Sequence, residues 1–444
     1  MKIVGLITEY NPFHNGHLYH LQKTKEITGA DAVIAVMSGN YVQRGAPAIM
    51  PKHIRAEVAL EAGVPLVLEL PVCYACGSAE YFAEGAISIL EKLGCIDAIC
   101  FGSECGDLNI LERIASITAD EPAEYRAFLQ EELKNGLSYP KARQNALKRY
   151  TKDEEIDLIL SEPNNILGIE YIKALMRRTS GMAVYTIKRR VSGYHDEELS
   201  ENYSSASAIR RLLWHASNAI HLEGERLYDE PPLSDALTRL EGQVPSACIR
   251  MLEETHRTRY PVYANDFSLL LKYQLMCETK ENLTQYADVT PDLANRILNR
   301  LNDFVTFDQF CDLLKTREVT YTRISRALFH ILLHIKKEDM ELYRHHDDCG
   351  YARILGFRKD AAPLLKHLKR HTEIPLITKL TQQENLDMSA KKMLENEIFA
   401  SNLYESVITE KFRLPFIHEY QQQLVHKAAV RADDMAIDQS ILIF

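Results

Sequence analysis

Four short apolar runs separated by helical patterns fill the first hundred residues, and they limit the chain to few folds. Lys2–Thr8, Ala32–Met37, Pro65–Leu70 and Asp97–Phe101 read as strands. Helical patterns run from about Gly16, from Pro51 to Ala62, and from Ala79 to Leu93, where Tyr81, Phe82, Ile89, Leu90 and Leu93 share one face. Apolar strands alternating with helices must be covered on both faces, which gives a parallel sheet with right-handed crossovers. The fold class expected is therefore α/β, a Rossmann-like parallel sheet, with ligands beyond the carboxyl ends of its strands.

The pattern changes downstream. Leu108–Tyr150 reads as helical and charged, punctuated by Gly136 and Pro140, and Ala183–Ile187 as a further strand. Ser204–Leu213 begins a helix. Beyond about Ala216 the β pattern largely fades and helices dominate, notably Ala264–Glu278, Leu293–Asn302 and Arg323–Lys337. A boundary near residues 215–225 is expected, with an α/β domain over 1–220 and a mainly helical one over 221–444.

The sharpest chemical signal lies where the first strand ends. Gly5-Leu6-Ile7-Thr8-Glu9-Tyr10-Asn11-Pro12-Phe13-His14-Asn15-Gly16-His17 carries an apolar strand through a turn into His-x-Gly-His at a helix start. Gly16 lacks a Cβ and admits a nucleotide close to the backbone. The helix N-terminus offers free N–H groups to phosphate oxygens. His14 and His17, three apart, can both donate to one phosphoryl group as charge builds during in-line displacement. A second element, Ser204-Ser205-Ala206-Ser207-Ala208-Ile209-Arg210, sets hydroxyls at a helix start and a guanidinium one turn on. Alone it is more often a capped helix with a solvated arginine. Beside the histidine motif, Ser205, Ser207 and Arg210 fit a departing pyrophosphate.

These residues resemble a known family. His-x-Gly-His followed by Ser-x-Ser-x-x-Arg is similar to the HIGH-type nucleotidyltransferases. Glu9 to His20, Val36-Met37-Ser38-Gly39-Asn40, Gln43-Arg44-Gly45, Phe101-Gly102-Ser103-Glu104 and Pro163-Asn164-Asn165-Ile166-Leu167-Gly168 resemble the bacterial tRNA(Met) cytidine acetate ligases. The likeness is dense to about residue 215; Lys315-Thr316-Arg317 and Tyr321-Thr322-Arg323 continue it. It implies an enzyme that activates acetate with ATP as acetyl-adenylate and acetylates N4 of the wobble cytidine of elongator tRNA(Met). It also implies ATP contacts from Ile7, Thr8, Glu9, Tyr10, Asn11, Pro12, Phe13, His14, Asn15, Gly16, His17, Leu18, Tyr19 and His20. Gly102, Asn164, Arg189 and Arg190 complete that implied set. Ser207 stands where the family commonly has threonine, which keeps the hydroxyl.

With acetate as nucleophile, no covalent protein intermediate is expected. His14 and His17 are assigned to the transition-state phosphoryl group, and Arg210, Ser205 and Ser207 to the β,γ-phosphates. Mg²⁺ is expected with ATP, held by phosphates and water. Lys315, Arg317, Arg323 and Arg326, interleaved with Tyr321, are candidates for tRNA phosphates and an unpaired base.

Other features carry less. A net charge of −10 argues against general coating of nucleic acid but leaves room for a local basic face. No apolar run is long enough to cross a bilayer, and the apolar start meets Thr8-Glu9 too soon for a signal peptide. Nine scattered cysteines read as reduced thiols in the cytoplasm. Cys73, Cys76, Cys100 and Cys105 have a superficial zinc look with poor spacing, so no metal site is expected. Arg344-His345-His346-Asp347-Asp348 reads as a polar loop, and Trp214 as core. Two other readings stay open: an adenylyltransferase acting on a small metabolite, and an RNA-binding protein that only senses ATP.

Overall fold

The computed structural model describes residues 1–189, 204–218, 221–222, 225–226, 233–316 and 318–428. Eight strands build one mixed sheet. They are β1 (Ile3–Thr8), β2 (Ala32–Ser38), β3 (Leu66–Leu70), β4 (Ala98–Ser103), β5 (Ala183–Lys188), β6 (Ala352–Arg358), β7 (Leu376–Ile377) and β8 (Val425–Lys427). The order across the sheet is β7-β6-β3-β2-β1-β4-β5, with β8 also on the outer edge of β6. Strands β1 to β5 are mutually parallel, whereas β6 runs antiparallel to β3.

Alternation along the strands sorts the core into two faces. Ile34 and Val36 of β2 and Leu66 and Leu68 of β3 share one cluster with Phe82, Ile89 and Leu90 of α3 (Ala79–Lys92). Val33, Ala35 and Met37 point the other way, where Leu21 of α1 (Asn15–Thr28) and Ala56 and Val58 of α2 (Lys52–Glu61) cover them. Helices Leu108–Asp120, Ala123–Lys134, Tyr139–Thr151 and Ile156–Ser161 are inserted between β4 and α4 (Pro163–Arg177). A Cβ on Gly168 would lie 2.4 Å from the Phe101 ring, so glycine there lets α4 lie close on β4. Helix α5 (Ala206–Asn218) packs Ile209, Leu212 and Leu213 on the α1 face.

The expected strands and helices of the first half are found, nearly to the residue. The second half differs from expectation at its end. Helices fill residues 233 to 345, among them α6 (Tyr321–Leu332), but β6, β7 and β8 then return to the sheet begun by the first half. A division near residue 220 therefore does not mark the end of the sheet. Strand β6 escapes a pattern search because Ala352-Arg353-Ile354-Leu355-Gly356-Phe357-Arg358 carries two arginines and a glycine.

Arg353 is buried because its charge is met. It stands opposite Glu69 across the β6–β3 ladder, 2.9 Å away, and reaches Glu419 at 2.6 Å. Lys52, fully buried at the start of α2, touches Glu69 (2.6 Å), Glu419 (2.9 Å) and Glu397 (3.2 Å), the last from α7 (Met388–Phe412). Two cations face three carboxyls. Burial, then the adjacent Glu69, push the Glu397 carboxyl up to about 8, so it keeps a proton at neutral pH and the cluster balances. Trp214, expected in the core, is instead 44% exposed on α5. Asp347 and Asp348 do form a turn, anchored where Asp348 accepts from the Tyr74 hydroxyl and from Arg178.

Candidate active site

The carboxyl ends of β1, β2, β4 and β5 and the first turns of α1 and α5 converge on one region. His14 is the N-cap of α1, and its Nδ1 accepts from the Gly16 N–H at 3.1 Å. His17 Nδ1 accepts from the His14 N–H at 3.2 Å, closing a reciprocal cap. The rings stack, with centroids 3.8 Å apart at 28°. Since both Nδ1 atoms accept backbone protons, each neutral ring carries its proton on Nε2. Among the described residues these two N–H donors remain for a ligand.

Electrostatics keep these rings neutral. Burial, then Arg189 and Arg210, lowers His14 to about 3. His17 is held well below its ordinary range by burial and by His14, and burial with Arg189 lowers His20 to about 4. Tyr10 and Phe13, each 1% exposed, pack around the pair at 4.9 and 5.5 Å from the His17 ring. They act as its wall. Leu18 and Tyr19 pack on the α1-side core, and Ile7 on the opposite one.

Helix α5 completes the cradle. Ser205 Oγ accepts from the Ala208 N–H, which makes it the local cap. Arg210 donates to the Asn11 carbonyl at 2.8 Å and to Ser207 Oγ at 3.1 Å, so its guanidinium is fastened to the β1–α1 turn. The turn at residues 242–243 ties both helix starts together. Asn15 donates from its backbone to the Gln243 carbonyl and from its side chain to the Gly242 carbonyl, while Gln243 Oε1 accepts from the Ser204 N–H.

Gly102 lies at the end of β4, where an added Cβ would meet the Arg189 stem at 3.3 Å. Asn164, in the first turn of α4, donates to Glu104 at 2.6 Å, and the Asn165 N–H reaches the other oxygen of that carboxylate. Arg189 stands 3.9 Å from Glu104. Arg190 lies outside the described residues.

Three contributors carry little sequence signal of their own. Arg55 is 1% exposed and donates to the carbonyls of Glu9, Ser38, Gly39 and Met50, pinning the loops after β1 and β2. Gln243 sits in an unremarkable turn. Glu104 stands beside Gly102 and orients Asn164, and its place after a strand-end glycine was the available clue. Glu9 itself accepts from the Gln43 N–H at 2.9 Å.

The candidates of the helical half are differently placed. Arg326 pairs with Asp288 at 3.1 Å and is largely buried, so it belongs to the packing of α6. Lys315 pairs with Asp312 in solvent, and the Tyr321 hydroxyl donates to Asp308. Arg323 lies near Asp288, half-buried. Arg317 lies outside the described residues. Cys73, Cys76, Cys100 and Cys105 are free thiols, and among the described residues they form no metal-holding group.

A sheet-end cradle of two imidazole donors, guanidinia and helix N-termini suits a polyphosphate. The family model for HIGH Nucleotidyl Transferase matches residues 1–415. A tRNA(Met) cytidine acetate ligase of Acetivibrio thermocellus is 43% identical over 406 residues, 91% of this chain and 94% of that protein. The enzyme of the same name from a Thermoanaerobacter species is 40% identical over 405 residues, 91% and 95% of the two chains. The chain belongs to the HIGH nucleotidyl transferase family, in the group of the tRNA(Met) cytidine acetate ligases. Solved structures of this group agree in fold. Thermotoga maritima TmcAL without ligand superposes with a TM-score of 0.87 at 30% identity, covering 96% of this chain and all of that one. The form bound with alpha-thio ATP gives 0.85 at the same identity and coverage.

Proposed function

We propose that this protein ligates acetate to N4 of the wobble cytidine of elongator tRNA(Met), with ATP as the energy source. The observation that carries the reading is the capped, neutral His14–His17 pair with Arg210 fastened over the same turn. An acetate oxygen attacks the α-phosphorus, the bond to the bridging oxygen breaks, and pyrophosphate leaves. His14 and His17 donate from Nε2 to the phosphoryl oxygens that gain charge, while Arg210 and Arg189 neutralise the β,γ-phosphates. Ser205 and Ser207 serve the same phosphates indirectly, one by capping α5 and the other by orienting Arg210. The cytidine amine then attacks the acetyl carbon, loses a proton, and AMP departs.

Mg²⁺ would travel with the triphosphate. The donors in the cradle are groups that bind phosphate, and among the described residues no cluster of three metal ligands forms there, so phosphate oxygens and water would hold the ion. The work takes place in the cytoplasm, where ATP and tRNA are. Among the described residues no helix is long and apolar enough to cross a membrane.

The nucleotide side of the site belongs to residues 1–220 and the RNA side to the helical half. In support, the Ser325 hydroxyl of α6 donates to the Gly45 carbonyl, two residues beyond the backbone that holds Glu9. An RNA lying along the exposed side of α6, on Arg323 and Tyr321, with Lys315 before the helix, would reach the cradle over that loop. Substituting Arg317→Glu with Arg323→Glu should weaken tRNA binding and flatten its salt dependence. An unchanged affinity and slope would remove these residues from the RNA face.

The deciding experiment incubates the protein with ATP, labelled acetate and bulk bacterial tRNA, then digests the RNA to nucleosides. Labelled N4-acetylcytidine is expected. The His17→Ala variant should lose acetate-dependent pyrophosphate release by about a hundredfold or more with its fold intact. Label in a small metabolite, or ATP bound with no turnover, would overturn the reading.

A further inference from the structure

A second constellation lies outside the cradle, at the turn between α3 and β4. Cys95 follows Gly94 there, and beside it runs the helix Ala362–His371 with His367 and His371 one turn apart. One donor atom from each of Cys95, His367 and His371 can be chosen so that all lie within 4.8 Å of one another. The two rings are 4.3 Å apart. His371 Nδ1 donates to the His367 carbonyl at 2.9 Å, which leaves the Nε2 lone pair as a ligand. A ring proton anchored on a backbone carbonyl is the usual support of a metal-bound imidazole.

The surrounding backbone is fixed. The Glu373 N–H and the Thr372 hydroxyl both donate to the Lys92 carbonyl, and Gly94 lies so close that a Cβ would meet the His371 carbonyl at 2.3 Å. The side chains meet at the surface, with Cys95 and His367 half-buried and His371 exposed. One thiolate and two imidazoles are borderline-soft ligands, and metal–ligand lengths of about 2.0 to 2.3 Å need only small side-chain rotations from this arrangement.

We propose that Cys95, His367 and His371 form a three-ligand site for Zn²⁺ or a similar transition-metal ion, with water in the fourth position. This departs from the sequence expectation of no metal. The ion displaces the Cys95 thiol proton into solvent and joins the α3–β4 turn to a helix about 270 residues later in the chain. It thereby clamps the β3–α3–β4 crossover to the helix between the returning strands β6 and β7, apart from the nucleotide cradle.

The full chain, reduced with a non-thiol reagent, is titrated with Co²⁺ and then with Zn²⁺. One cobalt per chain with a thiolate-to-cobalt absorption band is expected, and zinc should displace it and raise the melting temperature. Cys95→Ser should abolish the band, and His371→Ala, an exposed change that spares the fold, should weaken binding at least about tenfold. Cobalt binding or zinc stabilisation equal in wild type, Cys95→Ser and His371→Ala overturns the site, as does a wild type that takes up no cobalt.

Discussion

His14, His17 and His20 are each refused a proton by burial and by the guanidinium charge of Arg189, assisted at His14 by Arg210. A histidine exposed by unfolding titrates near 6.5, whereas folded His14 and His20 titrate near 3 and 4. Below pH 6.5 the unfolded chain takes up protons that the folded chain declines. Their contribution is complete above that pH and is lost as the pH falls, by up to about 1.4 kcal/mol per pH unit for each ring. Urea midpoints should therefore drop between pH 7 and pH 5, and a His14→Gln/His17→Gln variant should show a shallower drop. Equal slopes in the two proteins would mean that the rings are not held neutral. Arg55 shows the complementary case, a buried cation whose donors are satisfied by four backbone carbonyls around the site.

Single contacts decide how neighbouring elements meet. Gly45 has φ +73°, and a Cβ there would stand 2.4 Å from the Arg326 backbone nitrogen. Replacing it with alanine forces a left-handed conformation on an L-residue and pushes α6 away. Together these should cost about 2 to 4 kcal/mol. The same loop holds Glu9 through the Gln43 N–H, so Gly45→Ala should also lower ATP–pyrophosphate exchange by about tenfold. A variant with unchanged melting and unchanged exchange would separate α6 from the cradle. The turn at Gly242-Gln243 works at the same scale, since one carboxamide and two carbonyls set α5 against α1.

Across the whole molecule, the β6 return makes the two halves interdependent. Lys52 and Glu69 come from the first half, while Arg353, Glu397 and Glu419, which neutralise and hydrogen-bond them, come from the last hundred residues. Removing one side of such a cluster strands buried charge at a cost of about 3 to 5 kcal/mol per broken pair. A fragment of residues 1–220 should accordingly show no cooperative thermal transition, whereas the full chain melts as one unit across β3 and β6. A sharp melt of the fragment would mean that the returning strands are dispensable. The division near residue 220 thus remains a proposal about labour, nucleotide on one side and RNA on the other, within a sheet that both halves complete.

Local order was legible because local physics decides it. Apolar runs of strand length, a glycine-bearing helix start and two histidines three apart fix β1, α1 and the shared face of the imidazoles, though not the reciprocal cap they form. Arg210 was legible too, since a hydroxyl-rich helix start places it one turn in. What lay beyond reach depends on partners far along the chain. Arg353 is compatible with a buried strand only once Glu69 and Glu419 meet it, and the pairing of Arg326 with Asp288 leaves no trace in the local sequence. Trp214 reads as core until the packing of α5 turns it outward. Charge is compatible with burial only when an opposite charge or a full set of hydrogen-bond acceptors is brought alongside. Chain topology alone supplies such neighbours, so the sequence set the local pieces of the cradle, and the tertiary structure set how they meet and what surrounds them.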